Sequence, residues 1–246
     1  MTEKREPNIF DLLTAEFWVE FFAQASPSAK WTPIQNFEFN ILKAKVLHAT
    51  AAEELYTIWQ NLSEKMSTEP TDSVVIGLAL YHVYTEQALV SAVSASEVYF
   101  KDRLAYAIQN DKRLLNHFRE KGIKVKRILD AGLDLSEDIG ILIVENMNFQ
   151  ILDDVQNEYE SVFGFEPFTK EELKKLKEIF LIRHLIVHKS GIVDHLFISE
   201  TGLDHQVGQR LFFERDEILE MIEFIGKIVT KIDSKLNQKL GLEEKP

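Results

Sequence analysis

Twelve consecutive residues, Arg183-His-Leu-Ile-Val-His188-Lys-Ser-Gly-Ile-Val-Asp194, gather one arginine and two histidines within six positions. An imidazole that gains and loses a proton near neutral pH, beside a permanently charged guanidinium, suits general acid-base work on a phosphodiester. The arginine would stabilise the oxyanion, and no metal is required. Gly191 follows His188 by three residues and is placed to cap a helix end. His188 then falls in the last helical turn, where the macrodipole favours the imidazolium. A plainer reading pairs Arg183 structurally and leaves both histidines as exposed end-of-helix residues. Spacing alone favours it, because arginine and histidine fall at this separation easily by chance. His184 and His188 also have zinc-ligand spacing, with Asp194 or His195 as a third ligand. Leu185, however, stands where the metalloprotease motif needs its glutamate.

The element that must carry these groups reads as a helix over 170–189. At about 100° per residue, Leu173, Leu176, Phe180 and Val187 fall within roughly 60° of one another, which predicts a core face with Arg183 at its edge. His184 and His188 share one flank, rotated about 100° and 140° from the arginine, and can face a common groove. A guanidinium so placed demands a carboxylate or a cleft, since stripping a buried charge of its partner costs about 3 to 5 kcal/mol. The helix expected over 73–109 supplies a carboxylate. Leu89, Val93, Phe100 and Leu104 define its apolar face, and Glu86 and Glu97 fall on or beside the edge. We expect Glu97, in preference to Glu86, to meet Arg183 across a packed helix pair. The competing reading turns Glu97 to solvent.

Apolar residues recur at helical spacing nearly everywhere, while two-residue alternation and hairpin signals are absent, so the chain reads as all-α. Helices are expected over 9–24, 34–65, 73–109, 112–120, 136–145, 151–163, 170–189 and 214–240. Turn chemistry marks breaks at 26–28, 67–70, 164–167 and Gly191, with the best seam at 66–71. Eight aromatic residues between Phe10 and Phe39 suggest a packed helical layer at the start of the chain.

With 246 residues, 45% of them hydrophobic, the chain has ample material for a core. The absence of cysteine excludes disulfides and thiolate metal sites. No charged-then-apolar leader precedes Asn8, which predicts a cytoplasmic protein. The longest apolar candidate, Val74 to Val98, is broken by His82, Glu86, Gln87 and Glu97, so no membrane span is expected. A net charge of −12, from 28 Lys plus Arg against 40 Asp plus Glu, argues against sequence-blind binding to long nucleic acid but leaves room for a local basic site. Lys124, Lys126 and Arg127 form one such cluster, and Lys170, Lys174, Lys175 and Lys177 another. Both read first as solvated helix faces, the second interleaved with Glu171, Glu172 and Glu178.

Arg183-His184-x-x-x-His188 resembles the Arg-polar-x(3 to 5)-His signature of the HEPN superfamily. Upstream, Leu89-Val-Ser-Ala-Val-Ser-Ala-Ser-Glu97-Val-Tyr-Phe-Lys101-Asp102 is similar to the early helix of RiboL-PSP-type HEPN proteins, where a Glu and a Lys-Asp pair recur. The resemblance covers roughly 73–240. It divides the chain into an N-terminal helical extension, 1–70, and a HEPN-like helical domain, 71–246. It implies an antiparallel helical bundle that forms a homodimer through the motif helices. It also implies a metal-independent endoribonuclease, without cofactor, whose composite cleft uses arginine and histidine from both protomers. On this resemblance His188 is the acid-base residue, Arg183 the phosphate and transition-state stabiliser, His184 a supporting polar group and Glu97 an orienting residue. The RNA 2'-hydroxyl would attack and leave a 2',3'-cyclic phosphate. Such proteins often serve as toxins or phage-defence effectors beside an antitoxin or sensor, which here would be encoded elsewhere. The family also holds non-catalytic members, so the alternative is a helical RNA-binding or regulatory and assembly module of the same fold.

Overall fold

A computed structural model describes residues 31–63, 72–119, 135–213 and 215–241. The elements are α1 (Pro33–Ser63), α2 (Asp72–Asn110), a 3-10 helix (Lys112–Phe118), α3 (Leu135–Val144), α4 (Leu152–Phe163), α5 (Lys170–Lys189), α6 (His195–Thr201) and α7 (Arg215–Leu240). The fold is all-α, as the periodicity predicts. Among the described residues the β structure is confined to an isolated antiparallel bridge between Ile192 and Arg210. No helix among them is long and apolar enough to cross a membrane. The helix expected over 9–24, the breaks at 26–28 and 67–70, the seam at 66–71, the aromatic residues before Trp31, and the Lys124, Lys126, Arg127 cluster lie outside the described residues.

α2 is the central element and packs on α1, α3, α5 and α7. Ala88, Leu89, Ala92, Val93, Ala95, Tyr99, Phe100, Leu104, Ala105, Ala107 and Ile108 are all buried, so apolar side chains surround most of its circumference. That is the pattern of a helix enclosed by others. Phe37, Ile41 and Ala44 of α1 join the same core, as do Ile218, Ile222, Ile225, Val229, Ile232 and Leu236 of α7, spaced by three and four as an amphipathic helix requires. α3 approaches α2 so closely that a Cβ on Gly140 would lie 2.1 Å from the carbonyl oxygen of Ala105, a position open to glycine alone.

A charged pair, Arg103 and Asp233, is sealed inside this packing. Arg103 of α2 is 2% exposed, and its Nε lies 2.8 Å from Oδ1 of Asp233 on α7. That N–H is not aligned on the carboxylate, so the contact is ionic. Nη2 donates to Oδ1 of Asn237 at 2.5 Å, Asn237 Nδ2 donates to Oδ2 of Asp233 at 2.9 Å, and the Tyr99 hydroxyl donates to Oδ1 of Asp233 at 2.9 Å. Burial pushes the Tyr99 and Tyr159 hydroxyls well above the usual phenol range, which keeps both as donors; Tyr159 donates to the Phe100 carbonyl at 2.8 Å.

α5 opens on a capping box. Thr169 Oγ1 accepts the Glu172 N–H at 3.2 Å, while the Glu172 carboxylate accepts the Thr169 N–H at 2.8 Å. Glu172 also pairs with Lys231 of α7; although burial works against it, these donors hold its carboxyl below the usual range. The buried face of α5 consists of Leu176, Ile179, Ile182, Leu185 and Ile186. This corrects the face expected from spacing: Leu176 is buried, but Leu173 and Phe180 are only partly so, and Val187 is 46% exposed. Apolar residues encircle nearly the whole C-terminal half of α5, so helical angle alone does not select the arc that packs.

Two further expectations change. The helix over 112–120 is a 3-10 helix ending at Phe118, opened by Asp111, whose carboxylate accepts the Arg113 N–H at 3.0 Å. α6 was not expected; its seven residues rely on an Asp194 N-cap and on Gly202 in the left-handed region.

Candidate functional site

α5 ends on two successive left-handed residues, Ser190 (φ 54°) and Gly191 (φ 74°), and the N–H groups of both turn back onto the Leu185 carbonyl. The residue that caps the helix is therefore Ser190, one position before the glycine expected to do so. His188 lies in the last turn as expected. A short loop fastens the chain beyond it: the Leu211 N–H donates to the Gly191 carbonyl at 2.9 Å, the Val193 N–H to that of Gln209 at 2.8 Å, and the Gly208 N–H to that of Val193 at 2.9 Å.

α2 and α5 run antiparallel. Glu97 lies beside Arg183, and eleven residues earlier on α2 the Glu86 carboxylate lies beside Gly191. The arginine and the glutamate are thus brought together, with Arg183 Nη2 at 4.0 Å from Glu97 Oε2 and side chains 18% and 14% exposed. Glu86 instead meets Arg210 at 3.5 Å. At 4.0 Å the Arg183–Glu97 contact is electrostatic and falls short of a hydrogen bond. The Arg183 Nε is buried and has no hydrogen-bond partner. Burial pushes the Glu97 carboxyl above its usual range, opposed by the Arg183 charge and by a hydrogen bond from the Gln150 side chain.

His184 and His188 are in contact along one flank, ring centroids 4.8 Å apart and planes tilted by 49°. His184 is half-buried and His188 exposed. The zinc reading gains no third ligand: the Asp194 carboxylate accepts the Phe197 N–H at 2.9 Å as the cap of α6, and among the described residues no group of three or more His, Asp or Glu side chains could hold a metal ion. The lysine run of α5 disperses. Lys175 lies over the Phe224 ring at 4.7 Å, and Lys177 pairs with Asp153 at 2.7 Å.

The site therefore offers a guanidinium with donors to spare, leaning on a carboxylate that does not saturate it, and, about 100° to 140° around the same helix, an imidazole pair that reaches the solvent-exposed helix end. A tetrahedral anion with several acceptor oxygens matches such donors. Gln150 and the Arg210–Glu86 pair were missed in the sequence. Gln150 sits in a turn where its own N–H bonds the Asn148 side chain at 3.0 Å, and no periodicity or motif marks it. In comparisons with known proteins no family model matches the chain, and no curated protein or solved structure matches it.

Proposed function

We propose that the chain is a metal-independent endoribonuclease of HEPN type, acting as a homodimer. The observation that carries this reading is the state of Arg183: partly buried beside Glu97, yet with an unpartnered Nε and no hydrogen bond to the carboxylate. An arginine kept only for packing gains from a closed hydrogen bond, as Arg103 has through Nη2 to Asn237, whereas one kept for an incoming phosphate must leave its donors open. His188, exposed in the last turn of the same helix, takes the proton from the RNA 2'-hydroxyl. That oxygen attacks phosphorus, Arg183 stabilises the charge on the non-bridging oxygens, and a histidine of the second copy protonates the departing 5'-oxygen. The products are a 2',3'-cyclic phosphate and a free 5'-hydroxyl. His184, in ring contact with His188, limits its rotation, and Glu97 orients Arg183. Val187, exposed between the two histidines, gives this face an apolar contact for the second copy. A role as a toxin or phage-defence effector restrained by a separate antitoxin or sensor suits such an activity.

Purified protein incubated with total RNA in EDTA is expected to cleave it. His188→Ala is expected to reduce the rate by about 10² to 10⁴, the usual contribution of a positioned acid-base group, with an unchanged thermal midpoint. A wild-type protein that leaves RNA intact, with or without divalent ions, removes the nuclease. What remains is then the non-catalytic helical module, for which the partial burial of both Arg183 and Glu97 is the supporting observation.

A further inference from the structure

Where the start of α1, the end of α2 and α3 meet, an open cavity of about 310 Å³ is lined by Trp31, Asn36, Asp102, Tyr106, Gln109 and Ile141, among others. Its wall is well defined, because Gly140, next to Ile141, locks α3 onto α2. Among the described residues no cationic side chain lines it. Asp102 is half-buried, and its attraction to Lys101 is a through-space effect between chain neighbours. The other adjacent cation is committed elsewhere: Arg103 is bound to Asp233 at 2.8 Å, with its guanidinium over the Tyr106 ring at 5.5 Å. Burial accordingly pushes the Asp102 carboxyl above its usual range, with Lys101 opposing only in part. Among the described residues the carboxylate thus faces a cavity with Lys101 as its neighbouring counter-charge.

The other groups narrow what would add to that charge. Aromatic rings attract a cation through their quadrupole, and Trp31 provides one, while the Tyr106 ring already carries the Arg103 guanidinium and offers apolar contact. Carboxamide oxygens and a carboxylate accept hydrogen bonds, which a primary ammonium can donate and a quaternary one cannot. The volume lies at the small end of ligand pockets, roughly 300 to 1,000 Å³. We propose that this cavity binds a small primary alkylammonium, its NH₃⁺ group on Asp102 and Asn36 and its hydrocarbon chain against Trp31, Tyr106 and Ile141. Asp102 lies about 140° around α2 from Glu97, so the site is separate from the arginine–histidine cleft.

Titration calorimetry of the full chain with n-butylammonium tests this without reference to RNA cleavage. Saturable binding at one site is expected, weakened about tenfold or more for tetramethylammonium and by Asp102→Asn, as loss of a charge-assisted contact implies. Trp31→Leu, checked for folding by its thermal melt, should weaken binding severalfold and serves if Asp102→Asn does not fold. Absence of saturable heat in the wild type, equal affinity for tetramethylammonium, or variants that fold and bind like the wild type would each overturn the proposal.

Discussion

Arg103 and Arg183 each meet an acidic side chain on a neighbouring helix, yet the two pairs have opposite characters. Arg103 is 2% exposed, 2.8 Å from its carboxylate, and enclosed by Tyr99, Asn237 and Asp233, whose mutual hydrogen bonds occupy the charged groups. The Arg183 side chain is 18% exposed against 3% for that of Arg103, stands 4.0 Å from Glu97, and makes no hydrogen bond to it; the Nε of both arginines lacks a hydrogen-bond partner. A buried charge is tolerated only when its donors and acceptors are satisfied. The α2–α7 pair meets that rule through the Arg103 Nη2, Tyr99 and Asn237 hydrogen bonds, with the Arg103 Nε held by its ionic contact alone, and reads as architecture. The α2–α5 pair, partly exposed and without a hydrogen bond across it, obeys it less, and that shortfall makes it a candidate for binding.

Substitutions should separate the two pairs. Arg103→Leu leaves Asp233 buried without its counter-charge and is expected to cost about 3 to 5 kcal/mol in denaturant unfolding. A cost below about 1 kcal/mol would erase the contrast. Arg183→Ala should cost about 1 kcal/mol or less, because its ion contact is long and partly solvated, while RNA cleavage falls by about 10² or more. A stability loss matching that of Arg103→Leu would return Arg183 to architecture. The smallest effect belongs to Glu97→Gln. Since burial raises the folded-state pKa of Glu97, the folded protein holds that proton more tightly than the unfolded chain, and the wild type loses this contribution as pH rises through the raised value. The variant should melt no lower than the wild type at neutral pH, and any advantage should shrink on acidification through the carboxylate range. A variant that melts lower at neutral pH would show Glu97 to be a net stabiliser like Asp233.

Much of the architecture was legible in the sequence, because long amphipathic helices advertise themselves. The expected bounds of α5 coincide with those observed, and α2 extends one residue further at each end. The meeting of Glu97 and Arg183 followed from one rule, that a charge on an apolar stripe seeks its opposite. Three features escaped for physical reasons. The buried arc of α5 is ambiguous because Ile179, Ile182 and Ile186 compete with Leu173, Phe180 and Val187 for the core. α6, at seven residues, is too short to show a period. The Arg103–Asp233 network joins residues 130 positions apart in sequence, and no local spacing connects them.

The double left-handed turn at Ser190 and Gly191 bears on the timing of molecular recognition. The chain that leaves His188 is pinned at once by backbone hydrogen bonds from Val193, Gly208 and Leu211, so the segment is ordered when the protein folds. The conformational freedom that a mobile loop would surrender on meeting its ligand has already been given up, and encounter at this rim can proceed by docking onto a preformed surface.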